Sequence, residues 1–102
     1  PNHPALAFAL LGIGKSHLAG DDAEAALAPL ERALALRTAG DVGAKNLVEA
    51  RHQLARALWA ARPAERPRAR ALVEDARRLV ADELASYPEL DHWLADHPLT
   101  TP

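Results

Sequence analysis

Leu10-x-x-Ile13-Gly14-x-x-His17, followed after one turn by Ala26-x-x-x-Leu30-x-x-Ala33, is the stretch around which the rest of the chain is organised. Its apolar and small residues recur at three- and four-residue steps, the period of a helix with one buried face. A second copy runs as Leu54-Ala55-x-x-Leu58 and then Ala69-x-x-x-Val73-x-x-Ala76. Small residues at fixed places in consecutive helices let two backbones approach closely, while larger ones fill the space between them. Two copies of one helix-turn-helix unit are the expectation.

Outward from this stretch, the period predicts a first helix over 4–19. Leu6, Leu10, Ile13 and His17 are its expected core stripe, and Phe8, Leu11, Lys15 and Leu18 form a second stripe rotated from it. Gly12 and Gly14 each cost about 1 kcal/mol against Ala in a helix, which is reasonable where a neighbouring helix packs on them. In Gly20-Asp21-Asp22-Ala23-Glu24, Asp21 is the expected cap and Glu24 completes a capping box. The second helix runs to about 39, bent at Pro29, with Ala26, Leu30, Ala33, Leu34 and Arg37 inward. Gly40-Asp41-Val42-Gly43 breaks the pattern, and a third helix follows over 44–61 with Leu47, Leu54 and Leu58 in its core stripe. The Pro-bounded segment 62–67 cannot be regular helix throughout. A fourth helix is predicted over 68–85, with Ala69, Leu72, Val73, Ala76, Leu79 and Val80 inward. Ser86 as cap and Pro88 in the first turn then start a short fifth helix over 87–96, with Leu90, Trp93 and Leu94 on one face. Residues 97–102 are the expected tail.

Composition agrees with this all-α, single-domain reading. Ala and Leu make up about two-fifths of the 102 residues, and aromatic residues only 4%. Cysteine is absent, which excludes disulfides and thiol chemistry and fits a reducing compartment, so a cytoplasmic location is expected. A net charge of −2 argues against a generic polyanion binder. No apolar run approaches the roughly eighteen residues of a membrane span, and no signal-peptide pattern opens the chain. The chain begins at Pro1 and contains no Met, so a piece of a longer protein is expected.

These spacings resemble the tetratricopeptide repeat, a helix-turn-helix unit that stacks into right-handed solenoids. The copies are offset by about 41 to 43 residues against the usual 34, similar to the long repeats of kinesin light chains. The resemblance implies repeat 1 at about 4–39, repeat 2 at about 44–85 and a capping helix at about 87–96. His3-Pro4-x-x-Ala7, Ala28-Pro29-Leu30-Glu31-Arg32-Ala33-Leu34-Ala35-Leu36-Arg37, Leu54-Ala55-Arg56-Ala57-Leu58-Trp59 and Arg68-Ala69-Arg70-Ala71-Leu72 look like the tetratricopeptide tails of myxobacterial serine/threonine protein kinases. That likeness implies a kinase domain before residue 1. The chain has none of the kinase signatures itself, neither a glycine-rich loop with its lysine strand nor His-Arg-Asp nor Asp-Phe-Gly.

Other chemistries are poorly supported. Gly12-Ile13-Gly14-Lys15-Ser16 has Ala9 where a phosphate-binding loop needs its first glycine, and a helical pattern precedes it. His3, His17, His52, His92 and His97 make no helical pair with one another, and cysteine ligands are lacking, so no metal is expected. No Ser–His–Asp or paired-carboxylate spacing stands out, and neither catalysis nor a cofactor is expected. Arg62, Arg66, Arg68, Arg70, Arg77 and Arg78 are interrupted by Glu65, Glu74 and Asp75, a solvated face rather than a nucleic-acid surface.

The resemblance places ligand contacts on the concave face lined by the first helix of each repeat. Carried over, these residues are Phe8, Leu11, Lys15 and Leu18, then Glu49, His52, Gln53, Arg56 and Trp59. Lys15 and Arg56 hold equivalent places and would reach one carboxylate-bearing protein or peptide, with Phe8, Leu18 and Trp59 as apolar anchors. Non-catalytic protein–protein recognition is thus the expected function. The alternative is self-association: two repeats are fewer than the usual three, so the first helix is expected to have an open side for upstream repeats or for a second copy in a homodimer.

Overall fold

The computed structural model describes residues 4–40 and 43–99, and these are almost entirely helical, with no strand among them. Helix α1 spans Pro4–Ala19, α2 Ala23–Ala39, α3 Ala44–Ala61, α4 Arg66–Leu79 and α5 Pro88–Asp96, with 3-10 segments at Pro63–Glu65 and Ala81–Ser86. Residues 1–3, Asp41, Val42 and 100–102, including the centre of the expected break at 40–43 and the second half of the expected tail, lie outside the described residues.

Consecutive helices pack on one another, α1 on α2, α2 on α3 and α3 on α4, with a smaller contact between α1 and α3. Short connections between packed neighbours make them antiparallel hairpins. One apolar core runs through the stack, built on Leu11, Leu30, Val48, Leu54, Leu58, Val73, Val80, Leu90 and Trp93. Ala26, Ala33, Ala50, Ala55, Ala57, Ala69 and Ala76 are buried between the helices, where a small side chain lets backbones close up. The envelope of 45 × 34 × 20 Å is about two helix diameters thick.

Helix α1 turns a different face inward from the one expected. Ala7, Leu11 and Gly14 are buried, whereas Leu6 and Ile13 are 36% and 49% exposed. The reason lies at Gly14: a Cβ there would run into Cγ and Cδ2 of Leu30 on α2. The missing side chain of Gly14 thus makes the room that the Leu30 side chain fills, and this fit chooses the face. Gly12, by contrast, has open space around it, so packing within the chain does not explain it.

The α1–α2 corner also differs in detail. Asp21 takes the left-handed conformation (φ 60°), and the Asp22 and Asp21 amides donate to the carbonyls of His17 and Leu18 at 2.8 and 3.1 Å. These two bonds make a Schellman ending for α1. Asp22, rather than Asp21, is therefore the cap of α2, its carboxylate accepting from the Ala25 amide at 3.1 Å. Glu24 pairs with Arg62 at the far end of α3 instead of completing a capping box. Helix α2 continues through Pro29 as one element.

Helix α4 begins at Arg66 with Pro67 in its first turn and ends at Leu79, shorter than the expected 68–85. Val80 and Glu83 leave helical geometry (φ −119° and −133°), and Val80 is buried while Leu79 is 47% exposed. The chain here tightens into a 3-10 segment that carries Val80 and Leu84 onto the core. Ser86 makes no cap; Tyr87 occupies that position without a side-chain hydrogen bond. Arg70 instead secures the other end of α5, donating to the carbonyls of Leu94 and His97 at 2.9 and 2.8 Å.

Candidate functional site

Helix α3 supplies the centre of the candidate site because its outer line, Lys45, Glu49, His52, Gln53, Arg56 and Trp59, recurs at helical spacing. Two open grooves lie along that line. The first, about 430 Å³, is lined by Leu18, Asp21, Ala23, Arg56, Trp59, Ala60, Trp93 and His97. The second, about 330 Å³, is lined by Lys45, Val48, Glu49, His52, Gln53, Ser86, Tyr87 and Glu89. The α1–α2 corner walls one groove, and the segment entering α5 walls the other.

An aromatic cluster forms the floor of the first groove. The Trp59 and Trp93 rings meet edge-to-face at 5.6 Å and 84°, and His97 stacks on Trp93 at 4.3 Å. Perpendicular rings place the positive edge of one against the negative face of the other. Arg66 lies over the Trp59 ring at 4.7 Å and donates to the Trp59 carbonyl at 3.1 Å, a cation–π contact that holds the indole in place. The His97 Nδ1 donates to the Trp93 carbonyl at 2.7 Å. Trp59 therefore does two things: it packs against α5 and it presents a half-buried surface to the groove.

Charge along the site is uneven. Lys15 reaches Glu49 at 3.5 Å, and buried Arg37 reaches the same carboxylate at 3.3 Å while donating to the Asn46 carbonyl at 2.9 Å. Arg56 is exposed, lines the first groove and donates to the Gln53 side-chain oxygen at 2.8 Å. Burial holds His52 below its ordinary pKa, helped by Arg56 and His97 and opposed by Glu89. His52 thus favours its neutral form, its ring edge-on to Trp93 at 6.4 Å.

Of the expected site residues, Leu18, Arg56 and Trp59 come together in the first groove, and Glu49, His52 and Gln53 in the second. Leu11 is 2% exposed and belongs to the core, a correction that follows from the rotation of α1. Phe8 is 72% exposed and lines neither groove. Lys15 also lies outside both, engaged with Glu49, so it does not share a groove with Arg56. Trp93, His97, Tyr87 and Glu89 are among the lining residues that sequence reasoning missed; the i, i+4 spacing of Trp93 and His97 was the available signal.

The stretch from Gly12 to Ser16 lies within helix α1 and offers no loop to cradle a phosphate. Among the described residues no group of three His, Asp or Glu side chains is placed to hold a metal ion, and no helix is long and apolar enough to cross a membrane. Comparison of the chain with protein-family models, with curated proteins and with solved structures finds no match in any of the three.

Proposed function

We infer that the chain is a non-catalytic recognition module, a tetratricopeptide-like solenoid segment that binds an extended protein or peptide along α3. The observation that carries this reading is the first groove, where exposed Arg56, bonded to the neutral Gln53 side chain, stands beside a fixed aromatic surface of Trp59, Trp93 and His97. Such a site takes a carboxylate on the guanidinium and an apolar side chain against the indoles; Trp and Arg are the residues most enriched at binding hot spots. Pairwise stacking of consecutive helices and a thickness of about two helices support the solenoid reading. On the same reading the parent is a cytoplasmic bacterial regulatory protein such as a serine/threonine kinase, and nucleic acid is not a ligand.

The test is selection from a random peptide library on the immobilised chain, with titration calorimetry of the selected peptides. The expected result is enrichment of peptides with an acidic residue near an apolar one. Arg56→Glu should weaken their binding at least about tenfold while far-ultraviolet circular dichroism stays unchanged. Equal binding by the parent and an equally folded Arg56→Glu variant would remove the groove from consideration.

A further inference from the structure

Two cations on helix α3 are left over when its ion pairs are assigned. Arg51 is engaged with Asp75 at 3.7 Å, and Glu49, the lone carboxylate of the helix, is held by both Lys15 and Arg37. Lys45 and Arg56 remain, both exposed and without an ion pair among the described residues. Lys45 lines the second groove and Arg56 the first. The two grooves abut. Gln53 of the second accepts the hydrogen bond of Arg56 in the first, and His52 of the second meets Trp93 of the first edge-on at 6.4 Å.

We propose that the ligand is one extended peptide segment lying in both grooves, with two acidic side chains four residues apart. One binds Lys45 and the other Arg56, and an apolar side chain two residues beyond the second rests on Trp59 and Trp93. Lys45 and Arg56 lie about three helical turns apart, hence on one line of α3, with backbones separated by about 16 Å. The bond to Gln53, a turn nearer Lys45, draws the Arg56 guanidinium back and brings the two charged heads to about 12 Å. Side chains of an extended chain alternate and advance about 3.3 Å per residue, so positions four apart face the same way about 13 Å from each other. The apolar position falls about 7 Å further on, toward Trp59, which follows Arg56 on α3 and is set against Trp93.

The groove walls make this a matter of spacing rather than of total charge. Asp21, at the α1–α2 corner, and Glu89, in the first turn of α5, line the first and second grooves, and neither has an ion pair among the described residues. An acidic side chain displaced toward either wall meets a like charge there, while a backbone N–H of the ligand finds an acceptor. A net charge of −2 on the whole chain likewise disfavours acidic ligands that miss Lys45 and Arg56. The pattern rests on the recognition reading above and adds to it the second groove, Lys45 and a fixed interval.

The experiment is fluorescence anisotropy of labelled, end-blocked peptides titrated with the 102-residue chain. The probe is Glu-Ser-Thr-Ser-Glu-Ser-Leu, made in both sequence orders, and the tighter order is carried forward. Replacing the Glu remote from Leu by Gln is expected to weaken binding about three- to fivefold, the range of one exposed ion pair. Lys45→Gln, at an exposed position, should weaken the diacidic peptide by the same factor and leave the Gln peptide unchanged, the coincidence that marks a direct pair in a double-mutant cycle. Setting the two acids only two residues apart should lose that factor as well. Equal binding of the Glu and Gln peptides, losses that add instead of coinciding, equal binding at both spacings, or no binding in either order would each overturn the proposal. Arg56→Glu separates the two readings: if it abolishes binding of the Gln peptide while Lys45→Gln changes nothing, recognition in the first groove stands and the two-groove pattern falls.

Discussion

Gly12 and Gly14 stand two residues apart in α1 and carry opposite expectations. Alanine at 14 must displace Leu30, and overpacking of a closed core costs about 1–3 kcal/mol. Alanine at 12 meets open space and removes the backbone-entropy penalty of glycine, a gain of up to about 1 kcal/mol. Urea unfolding of Gly14→Ala and Gly12→Ala in dilute solution should therefore shift the midpoint in opposite directions. Residue-level reading of the sequence failed here for a physical reason. Apolar residues occur around most of α1, so the three- and four-residue period fits more than one face. The fit of Leu30 on α2 into the space left by Gly14 separates Ala7-Leu11-Gly14 from Leu6-Leu10-Ile13. That fit is a property of the pair, and no single helix encodes it.

Among the elements, those with sharp punctuation were legible. Helices at 4–19 and 44–61 are bounded by Gly-containing turns and Pro63, and they begin and end where that punctuation puts them. The end of α4 was not legible, because Leu79, Val80 and Leu84 continue a helical pattern while the backbone tightens around buried Val80. Helix α5 is the element whose attachment rests on few groups. Leu90 and Trp93 enter the core, Arg77 pairs with Asp91 at 2.5 Å, and Arg70 caps the terminal carbonyls. Those carbonyls carry the negative end of the helix dipole, so the guanidinium satisfies both charge and hydrogen bonding. Arg70→Ala should loosen α5 by about 2 kcal/mol, roughly thirtyfold in local opening. Hydrogen exchange should quicken over residues 88–97 and stay unchanged within α1 and α2; a uniform change would mean that Arg70 acts on the whole fold.

For the whole molecule, two of the groups that the fold perturbs titrate at or below neutral pH, and both are shifted the same way. His52 is held below its ordinary value, chiefly by burial. Glu31 is held below its own by the bidentate hydrogen bonds of Arg68, at 2.8 and 2.9 Å, against the effect of its partial burial. In both cases the unfolded chain takes up a proton more readily than the folded one, so stability is complete above the unfolded pKa and falls with pH. The melting temperature should hold steady above about pH 6.5, decline below it as unfolded His52 protonates, and decline further below about pH 4.3 through Glu31. His52→Gln should remove the first decline and leave the second. At this scale the all-helical class was legible because it follows from period, whereas Glu49, His52, Gln53, Arg56 and Trp59 were expected on α3 only from the resemblance. The grooves' far walls were hidden, since Trp93 and His97 reach Trp59 only through the folding back of α5.

The chain contains only two tryptophans, and the fold sets them perpendicular with ring centres 5.6 Å apart. Two indoles so close share their electronic excitation, and the coupling leaves a paired positive and negative band in the circular dichroism of the aromatic transitions. One member of the pair sits on α3 and the other on α5. The split band therefore exists only while α5 is docked, which gives the protein an optical gauge of its own closure without any added label.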